Sequence, residues 1–539
     1  MGRDRVTAKR CMFADVSREA CAVALLGAFH HPLVGMVVLG LGSLTLTLAW
    51  HYHTSGRVRR AVLLVVATGG VLRLYAGSDL YLHTWDETFH ALVARNLLLH
   101  PLTPTLYDNP VLPYDYTNWS ANHVWVHKPP LTLWLMALSL WVGGATELAV
   151  RLPSIILSSL ATVAIYGVGR CLTEPRVAFL ASILWCTNGD LLDLVGGRAP
   201  VDHVDSLMVT LVVVGIWLAG CHVTRRTRWA LVGLGCCTGL ALLTKWLVAL
   251  LIPGVWLVWA AKRLRPLPLV TSLVVVLLLA GLIALPWQLS IAARFPREAA
   301  WEQTYNVRHM TEMIEGHREP WFYYLRRLGH PIGPLVYVPI VWFLTQLLCY
   351  PVTPEQIALA AWAFVPYVVF SCMATKMPNY VLTALPALLL IVASFWFWLA
   401  AWCTRDGLSP RWLRRLGRLY LIALLGFAIE HGVECLARLP FPVSTRHPAW
   451  AAQLRQLRGQ LPLGQVILFN SPHPIQAMFY TGVPVYASLP SAETVERLQQ
   501  EGYQLVCLDP GGLPDYIQKN PAILVIAQQT ETTEPPLLR

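Results

Sequence analysis

Long apolar runs alternate along this chain with short polar segments, and most of the runs are long enough to cross a bilayer. A spanning helix needs about 20 apolar residues, and twelve runs approach that length. We predict spanning helices at 32–52, 61–78, 152–170, 176–196, 205–221, 228–245, 246–261, 268–287, 331–349, 355–373, 379–402 and 414–432. A further apolar run, 131–145, is short and starts after "KPP", so we expect it to lie in the interface or re-enter.

The composition agrees with a polytopic α-helical membrane protein of about 12–13 transmembrane helices. Hydrophobic residues make up 55% of the chain and charged residues only 13%, whereas soluble proteins carry roughly 25% charged residues. The net charge of +11 is spread over loops, which favours positive-inside topology over nucleic-acid binding. The 12 cysteines form no CxxC pair, so no metal motif or disulfide framework is predicted.

Five short basic loops define the predicted orientation, because lysine and arginine mark the cytoplasmic side. These loops are "GRVRR" (56–60), "GRCLTEPR" (169–176), "TRRTR" (224–228), "AKRLR" (261–265) and "RWLRRLGR" (411–418). If all five lie inside, the segments predicted to lie outside are 79–151, 197–204, 288–330, 374–379 and everything after about 433.

The tail changes character from residue 462 onwards, where short strand-like and helix-like segments alternate. We predict strands at 465–470, 483–487, 504–509 and 522–528 and helices at 474–482, 491–502 and 513–519. This order indicates a small external α/β domain, and without a Gly-rich phosphate motif we expect it to cover or support another site. The predicted domains are an N-terminal segment with an extra span (1–60), a transmembrane catalytic domain with a first external loop at 79–151 (61–432), and the α/β domain (433–539).

Acidic and basic side chains from widely separated segments gather on the predicted external face. A charge at membrane depth costs about 2.5–3.5 kcal/mol, so such residues usually face a cavity and pair. Each also has a simpler explanation, as a solvated loop residue, a helix cap or a membrane anchor. Convergence favours a site, whose candidates are Asp86, Glu87, His127, Lys128, Arg198, Asp202, Asp205, Lys376 and Tyr380.

This mixture of groups suits transfer chemistry on a lipid phosphate. Lysine and arginine bind phosphate as fixed positive charge, and a carboxylate can take a proton from an attacking hydroxyl. A channel between spanning helices can hold a lipid tail. Together these groups favour displacement of a lipid phosphate from an anomeric carbon by an acceptor.

Five segments resemble the C-type (GT-C) integral membrane glycosyltransferases of the protein O-mannosyltransferase and aminoarabinose (lipid A) transferase group. They are "WDETFHALVARNLL" (85–98), "VHKPPLTLWLMALSLWVGGATELAVRLPS" (126–154), "GRAPVDHVDSLMV" (197–209), "TGLALLTKW" (238–246) and "KMPNYVLTALPALLLI" (376–391). The resemblance covers roughly residues 60–400. It implies a GT-C-like fold, a polyprenyl-phosphate-linked sugar donor and inversion at the anomeric carbon.

When the motifs of the family are matched to this sequence by position, Asp86 corresponds to the acid of the first external loop, and Lys128 corresponds to the lysine of "KPP". The second acid falls on Asp202 or Asp205, and the Asp-x-Leu context favours Asp205. The residues after "DE" are "TFHA" where the family has a Tyr and a small residue, which leaves the acceptor and the sugar open.

We hypothesise that Asp86 takes the proton or orients the acceptor, with Glu87 in support, and that Asp202 or Asp205 binds sugar hydroxyls. Lys128, with Lys376 and Arg198, would hold the phosphate; His127 and Tyr380 lie beside these lysines in the sequence. No cofactor and no metal ligand is predicted, although a divalent metal is an alternative because oligosaccharide-transferring relatives bind one with acidic pairs.

The sequence therefore predicts a membrane glycosyltransferase with its site facing the outside of a bacterial inner membrane. Its partners would be a polyprenyl-phosphate sugar donor, a lipid, glycan or protein acceptor, and membrane lipids, with no nucleic acid. One alternative is a transporter or flippase, which would place polar sites near the midplane, often in repeats. Another is a non-catalytic protein that binds sugar lipids.

Overall fold

A computed structural model describes residues 32–199, 203–314, 316–405, 410–437 and 448–528, and most of these residues are helical. The helices up to the tail are α1 Pro32–Thr54, α2 Val58–Ala76, α3 Asp86–Asn96, α4 Leu131–Gly143, α5 Glu147–Leu172, α6 Pro175–Thr187, α7 Gly189–Val195, α8 His203–Arg225, α9 Arg228–Lys245, α10 Leu251–Ala261, α11 Pro266–Arg294, α12 Pro296–Thr311, α13 Tyr323–Arg327, α14 Tyr337–Cys349, α15 Pro354–Cys372, α16 Leu385–Thr404 and α17 Arg411–Ala437. Short 3-10 segments precede α10, α14 and α16 at Trp246–Leu250, Pro334–Val336 and Pro378–Ala384.

Within the described ranges, eight helical segments are long and apolar enough to cross a membrane, or nine if the bent pair α6–α7 is one span. This is fewer than the 12–13 crossings predicted, for three reasons. Helix α2 carries three arginines, the segment with α14 is short, and the apolar segment Arg228–Ala261 counts once although its two helices, α9 and α10, run in opposite directions. The predicted span 176–196 is also not straight, because it bends by 48° at the junction between α6 and α7.

The segment Arg228–Ala261 turns back on itself as a hairpin. Arg226, just before α9, donates a hydrogen bond to the carbonyl of Arg263, just after α10 (2.6 Å). The turn lies at Trp246, whose φ of 42° breaks the helix. The two spans predicted at 228–245 and 246–261 therefore run in opposite directions, and the two basic loops that flank them meet at one end of the bundle.

The outer surface of the helix bundle is apolar. Helix α11 exposes Leu267, Leu278 and Leu282 by 67–74%, and such continuous apolar surfaces mark membrane contact rather than solvent. The interior is apolar and includes the fully buried Trp256, Trp259 and Trp362. The chain is therefore a multi-pass membrane protein.

Helix α4 is the apolar run that we expected not to cross. It has 13 residues, which corresponds to about 20 Å of helix and is shorter than the hydrocarbon core. One face packs into the core of the first loop, while Leu138, Trp141 and Val142 are exposed by 59–71%. This arrangement fits a helix that lies at the membrane boundary.

The tail folds into a small α/β unit, as predicted, around three parallel strands in the order β1–β2–β3. Its elements are α18 Ala449–Gln460, β1 Val466–Phe469, α19 Pro474–Thr481, α20 Ala492–Gln500, β2 Gln504–Asp509, α21 Asp515–Gln518 and β3 Ile523–Ala527. The strand predicted at 483–487 is wrong: this segment contributes only an isolated parallel bridge from Val485 to Leu468. Next to this bridge, the ring of Tyr486 stacks on Tyr107 of the first loop (5.2 Å between ring centroids).

The tail and the first loop, 79–151, share one hydrophobic core. Arg95 on α3 donates to the carbonyl of Met478 (2.8 Å), and the hydroxyl of Tyr480 donates to Glu147 at the start of α5 (2.6 Å). Arg455 on α18 forms an ion pair with the same Glu147 carboxylate. The tail is therefore anchored to the loop that carries the candidate acid Asp86.

We predict that Glu147→Ala weakens this docking. Its loss leaves Arg455 without its carboxylate partner in a nearly buried position, a change that costs about 3 kcal/mol. Hydrogen–deuterium exchange should become faster in peptides covering 107–112 and 478–486. The control is Glu493→Ala, which removes an exposed carboxylate on α20; equal exchange in the two variants would show that Glu147 does not anchor the tail.

Candidate functional site

The two adjacent acids of the first loop have different surroundings. Both lie in the first turn of α3, where a negative charge is favoured by the helix dipole. Trp85 precedes them with a φ of 71° and an exposed side chain. Glu87 is buried, whereas Asp86 stays partly open to solvent. Because successive residues on a helix are about 100° apart, burial of Glu87 turns Asp86 away from the core.

Glu87 is held by a dense set of partners. Arg151 on α5 donates from Nε to Oε1 (2.7 Å) and from Nη2 to Oε2 (3.0 Å), and both side chains have no exposed surface. The backbone N–H of His83 donates to Oε2 (2.6 Å). His203 lies 3.2 Å away through Nε2, while Ser154 lies 3.0 Å from its Nδ1. Since a carboxylate only accepts hydrogen bonds, Nε2 of His203 carries the proton and donates.

The other N–H groups of Arg151 hold the loop segment that leads into α3. Its Nη1 donates to the carbonyls of Gly77 (3.1 Å) and Asp79 (2.6 Å), and its Nη2 donates to that of Tyr81 (2.7 Å). One buried guanidinium thus holds both the chain before α3 and the carboxylate at its start.

The charge on Glu87 is stabilised by these contacts. Burial alone would raise the pKa of Glu87, but the charge of Arg151 and the hydrogen bonds from His203 and Arg151 hold the pKa well below its usual range. The folded pKa is lower than that of the unfolded chain, so the stability is present above the ordinary carboxyl pKa. It is lost as the pH falls through the folded value.

A second buried pair lies beside the first. Arg198 donates from Nε to Asp79 (3.0 Å) and from Nη1 to Asp193 (3.4 Å), and it also bonds the carbonyl of Ala76. Burial would raise the pKa of Asp79, but Arg198 and His83 hold it well below its usual range. Arg198 is therefore engaged in holding α2, α7 and the first loop together.

Gly197 is required next to this network. Its φ is 75°, and a Cβ there would collide with the carboxylate of Glu87. Only glycine combines that backbone conformation with such a close approach. The backbone at Gly197 is thus packed directly against Glu87.

Asp205 brings the other candidate residues together. It lies buried in the first turn of α8 and accepts a 2.5 Å hydrogen bond from Nζ of Lys245 at the end of α9. Lys245, Lys128 and Asp86 act electrostatically on its carboxylate. The first-loop acid, the "KPP" lysine and the second acid therefore share one polar region at the end of α8 and α9.

Lys128 is positioned through its neighbour His127. Its Nζ donates to Nε2 of His127 (3.2 Å), whose Nδ1 lies 2.9 Å from Glu302 on α12. An ammonium can only donate, so Nδ1 carries the imidazole proton and donates to Glu302. The imidazole also stacks on Trp119 (4.9 Å). His127 thus orients Lys128 and links the first loop to α12.

The last two candidates lie after α15. The ring of Tyr380 receives Nζ of Lys245 at 5.5 Å from its centroid, which places Tyr380 beside the Asp205–Lys245 pair. Lys376 is buried and donates to the carbonyl of Met373 (2.7 Å). That bond ties Lys376 to the end of α15.

The predicted residues thus divide into three groups. One group converges on the polar region around Asp205 and consists of Asp86, His127, Lys128, Asp205 and Tyr380. Glu87 and Arg198 lie in the adjoining buried ion pairs, and Lys376 bonds backbone at the end of α15. Asp202 lies outside the described residues.

Sequence reasoning left out Lys245, although its position in "LLTKW" at the end of an apolar run marks a buried charge that needs a partner. Arg151 gave the same signal within the apolar α5. Asp79 and Glu302 carried no comparable signal, because their partners come from distant segments, whereas His203 lies in the predicted segment "GRAPVDHVDSLMV". The region thus holds two amines, Lys245 and Lys128, and two carboxylates, Asp205 and Asp86.

The sequence of this chain is similar to those of known transferases. A family model described as dolichyl-phosphate-mannose-protein mannosyltransferase matches residues 127–287. Similar curated proteins include undecaprenyl phosphate-alpha-4-amino-4-deoxy-L-arabinose arabinosyl transferases. That of Erwinia tasmaniensis is 28% identical over 324 residues, with 57% of this chain and 54% of the relative covered. That of Yersinia enterocolitica is 29% identical over 329 residues (58% and 54%). The match spans about half the length of these relatives.

Structural comparisons reach further along the chain. ArnT from Cupriavidus metallidurans, solved with bound undecaprenyl phosphate, has a TM-score of 0.58 and 17% identity, with 86% of this chain and 89% of that chain covered. An oligosaccharyltransferase from Archaeoglobus fulgidus has a TM-score of 0.52 and 13% identity, with 80% and 64% covered. The predicted GT-C-like fold and the predicted resemblance to C-type glycosyltransferases are confirmed.

We predict that Arg151→Met destabilises the protein by about 3–5 kcal/mol, because Glu87 would be left buried without its cation. Adding Glu87→Gln to this variant should recover part of the loss. Thermal unfolding in detergent measures both effects. Arg497→Met, which removes a half-exposed arginine of the tail, is the control, and an Arg151→Met variant as stable as this control would contradict the assigned role of the pair.

Proposed function

We propose that this protein is a membrane glycosyltransferase that moves a sugar from a polyprenyl-phosphate-linked donor to an acceptor hydroxyl or lipid phosphate. Transfer would take place on the extracytoplasmic face of a bacterial inner membrane, with inversion at the anomeric carbon. The names of the curated relatives specify undecaprenyl phosphate and 4-amino-4-deoxy-L-arabinose, so we propose the same class of lipid donor and leave the sugar open.

One observation carries this proposal. The Asp205 carboxylate on α8 accepts a 2.5 Å hydrogen bond from Lys245 on α9, and Lys128 and Asp86 of the first loop act on it electrostatically. A proton acceptor and two amines are thus brought to one place at the end of the bundle. Such a set matches a reaction in which a phosphate leaves while an acceptor loses a proton.

Lys128 would hold the donor phosphate. Its ammonium is a compact charge with three donors. His127 accepts a hydrogen bond from this ammonium and is itself bonded to Glu302, so it orients the Lys128 side chain. When the bond between the anomeric carbon and the phosphate oxygen breaks, negative charge grows on the leaving polyprenyl phosphate. A fixed cation lowers the barrier at that moment.

Asp86 would act on the acceptor. It is partly open to solvent, unlike Glu87, so an acceptor can reach it. A hydroxyl acceptor would lose its proton to Asp86 as its oxygen bonds the anomeric carbon. A lipid phosphate acceptor is already ionised, and Asp86 would then orient the sugar or the acceptor.

The Asp205–Lys245 pair would form the other wall of the site. Its 2.5 Å bond and burial make it a rigid polar surface against which sugar hydroxyls can bind, with Tyr380 beside Lys245. Lys376 would supply a further positive charge near the phosphate. Arg198 and Glu87 would act indirectly, through the ion pairs that hold the loop.

The arrangement favours transfer over transport. A transporter places its polar groups near the midplane, at broken helices. Here the charged groups lie at the ends of α8 and α9 and in the first loop. A non-catalytic sugar-lipid binding protein would keep Lys128 but would not depend on the carboxylate of Asp86.

We predict that Asp86→Asn lowers sugar transfer by at least 100-fold, because a general base contributes about 10²–10⁴-fold. The assay measures undecaprenyl phosphate released from undecaprenyl phosphate-4-amino-4-deoxy-L-arabinose in the presence of a membrane lipid extract. The melting temperature should not change. Asp108→Asn, in the same loop, is the control; full turnover by Asp86→Asn would remove the proposed mechanism.

We also predict that Lys128→Ala weakens binding of undecaprenyl phosphate at least tenfold, since a charged hydrogen bond contributes about 1.5–3 kcal/mol. Calorimetric titration of the protein in nanodiscs provides the dissociation constant. The matched control is Lys519→Ala, which removes an exposed lysine of the tail. An unchanged dissociation constant in Lys128→Ala would exclude the phosphate role.

A further inference from the structure

A cluster of metal-ligating side chains lies apart from the Asp205 region, where the end of α17 packs against α7. Its members are Asp193 on α7 and His431 and Cys435 on α17. One ligand atom from each of these three residues lies within 4.8 Å of the others. We propose that these residues bind a divalent transition-metal ion, Zn²⁺ by the chemistry of the set, and that the ion clamps α17 to α7.

The helix spacing supports a shared ligand. His431 and Cys435 are four residues apart, so they project from the same face of α17 one turn apart. The Cys435 sulfur lies 3.8 Å from Nε2 of His431, and Oδ2 of Asp193 lies 3.4 Å from the same nitrogen. Zn–N bonds of about 2.0 Å and Zn–S bonds of about 2.3 Å place tetrahedral ligand atoms about 3.3–3.6 Å apart. The cluster therefore needs only small adjustments to close on an ion.

A fourth ligand is available. Oδ1 of Asp190, also on α7, lies 3.5 Å from Nε2 of His431, and Asp190 itself contacts His330 (3.3 Å). A set of carboxylates, imidazole and thiolate is typical of zinc, because that ion accepts oxygen, nitrogen and sulfur in tetrahedral sites.

Outer contacts orient the ligands, as they do in established metal sites. Nδ1 of His431 faces Glu434 at 3.6 Å, which leaves Nε2 for the metal. Oδ1 of Asp193 faces Arg198 (3.4 Å) while Oδ2 faces His431. Asp193 therefore presents one oxygen to the proposed ion and the other to the arginine.

The backbone also makes room for this contact. A Cβ at Gly189, the first residue of α7, would collide with the ring of His431. Only glycine at that position lets α17 approach α7 closely enough for His431 to face the two aspartates. His431 and Asp193 are partly exposed, with side-chain exposures of 37% and 26%, so an ion can enter from solvent.

The ion would have a mechanical role rather than a catalytic one. Without it, the cluster holds two carboxylates and a thiol close together, faced by His431, His330 and Arg198. A bound cation would neutralise this charge and join the last described membrane helix to the bend between α6 and α7. This proposal does not depend on the transfer reaction.

Metal analysis of the purified full chain, stripped with a chelator and reloaded with Zn²⁺, tests the proposal. We expect about one zinc per chain and a higher melting temperature with zinc than without it. His431→Ala and Cys435→Ala should lose both effects. Cys507→Ala, which removes a buried thiol of β2, should keep both; equal zinc retention by Cys435→Ala and Cys507→Ala would overturn the site.

Cobalt substitution provides a test that needs no variant. Co²⁺ in the unmodified protein should give a thiolate-to-cobalt charge-transfer band, and excess Zn²⁺ should abolish it. Glu434→Gln should weaken zinc binding about 10–100-fold while leaving the metal-free melting temperature unchanged. A wild-type protein that binds no Co²⁺, or binds it without the thiolate band, would refute the proposal.

Discussion

The buried ion pair between Glu87 and Arg151 is the constraint on which the external part of this protein depends. Neither side chain has exposed surface, so each ion has lost its hydration and relies on the other. Such a pair contributes little net stability compared with an apolar replacement, but breaking it is costly. Its value here is specificity: Arg151 also bonds three carbonyls between Gly77 and Tyr81, and only one path of the chain satisfies all of these acceptors.

The same constraint separates the functions of two adjacent acids. A sequence of Asp followed by Glu looks like one doubly charged group, and repulsion between the two would favour solvent exposure of both. Arg151 and His203 bind the carboxylate of Glu87 in the core. Because Asp86 is the preceding residue on the helix, its side chain then points outward, to the region of Lys128 and Asp205. Glu87 is thus a positioning residue in the proposed mechanism, and its fixed charge keeps Asp86 in place without competing for the acceptor.

The sequence predicted what hydrophobic periodicity and charge can encode. Single segments were enough to predict the membrane helices, the short α4 and the strands of the tail sheet. The bend between α6 and α7 was not predicted; it lies at Asn188, which leaves the helical conformation and accepts a hydrogen bond from the N–H of Leu191 as the N-cap of α7. The 483–487 segment satisfies the local β pattern, but its pairing with β1 is limited to the bridge from Val485 to Leu468, because Pro484 has no N–H to extend the ladder. Arg198 carried the right charge for a phosphate ligand, yet its partners Asp79 and Asp193 can be identified only in three dimensions.

The first turn of α5 explains why the tail and the candidate site belong together. Glu147 and Arg151 are four residues apart, so they lie on one face of the helix. Glu147 binds Tyr480 and Arg455 of the tail, and Arg151 binds Glu87. A single helical turn therefore connects the folded tail to the residue that orients Asp86. Displacing the tail would remove two partners from Glu147 and expose the core that the tail shares with the first loop. The tail is thus part of what keeps Asp86 in position, and a change in its docking would reach the site through α5 and through Arg95 of α3.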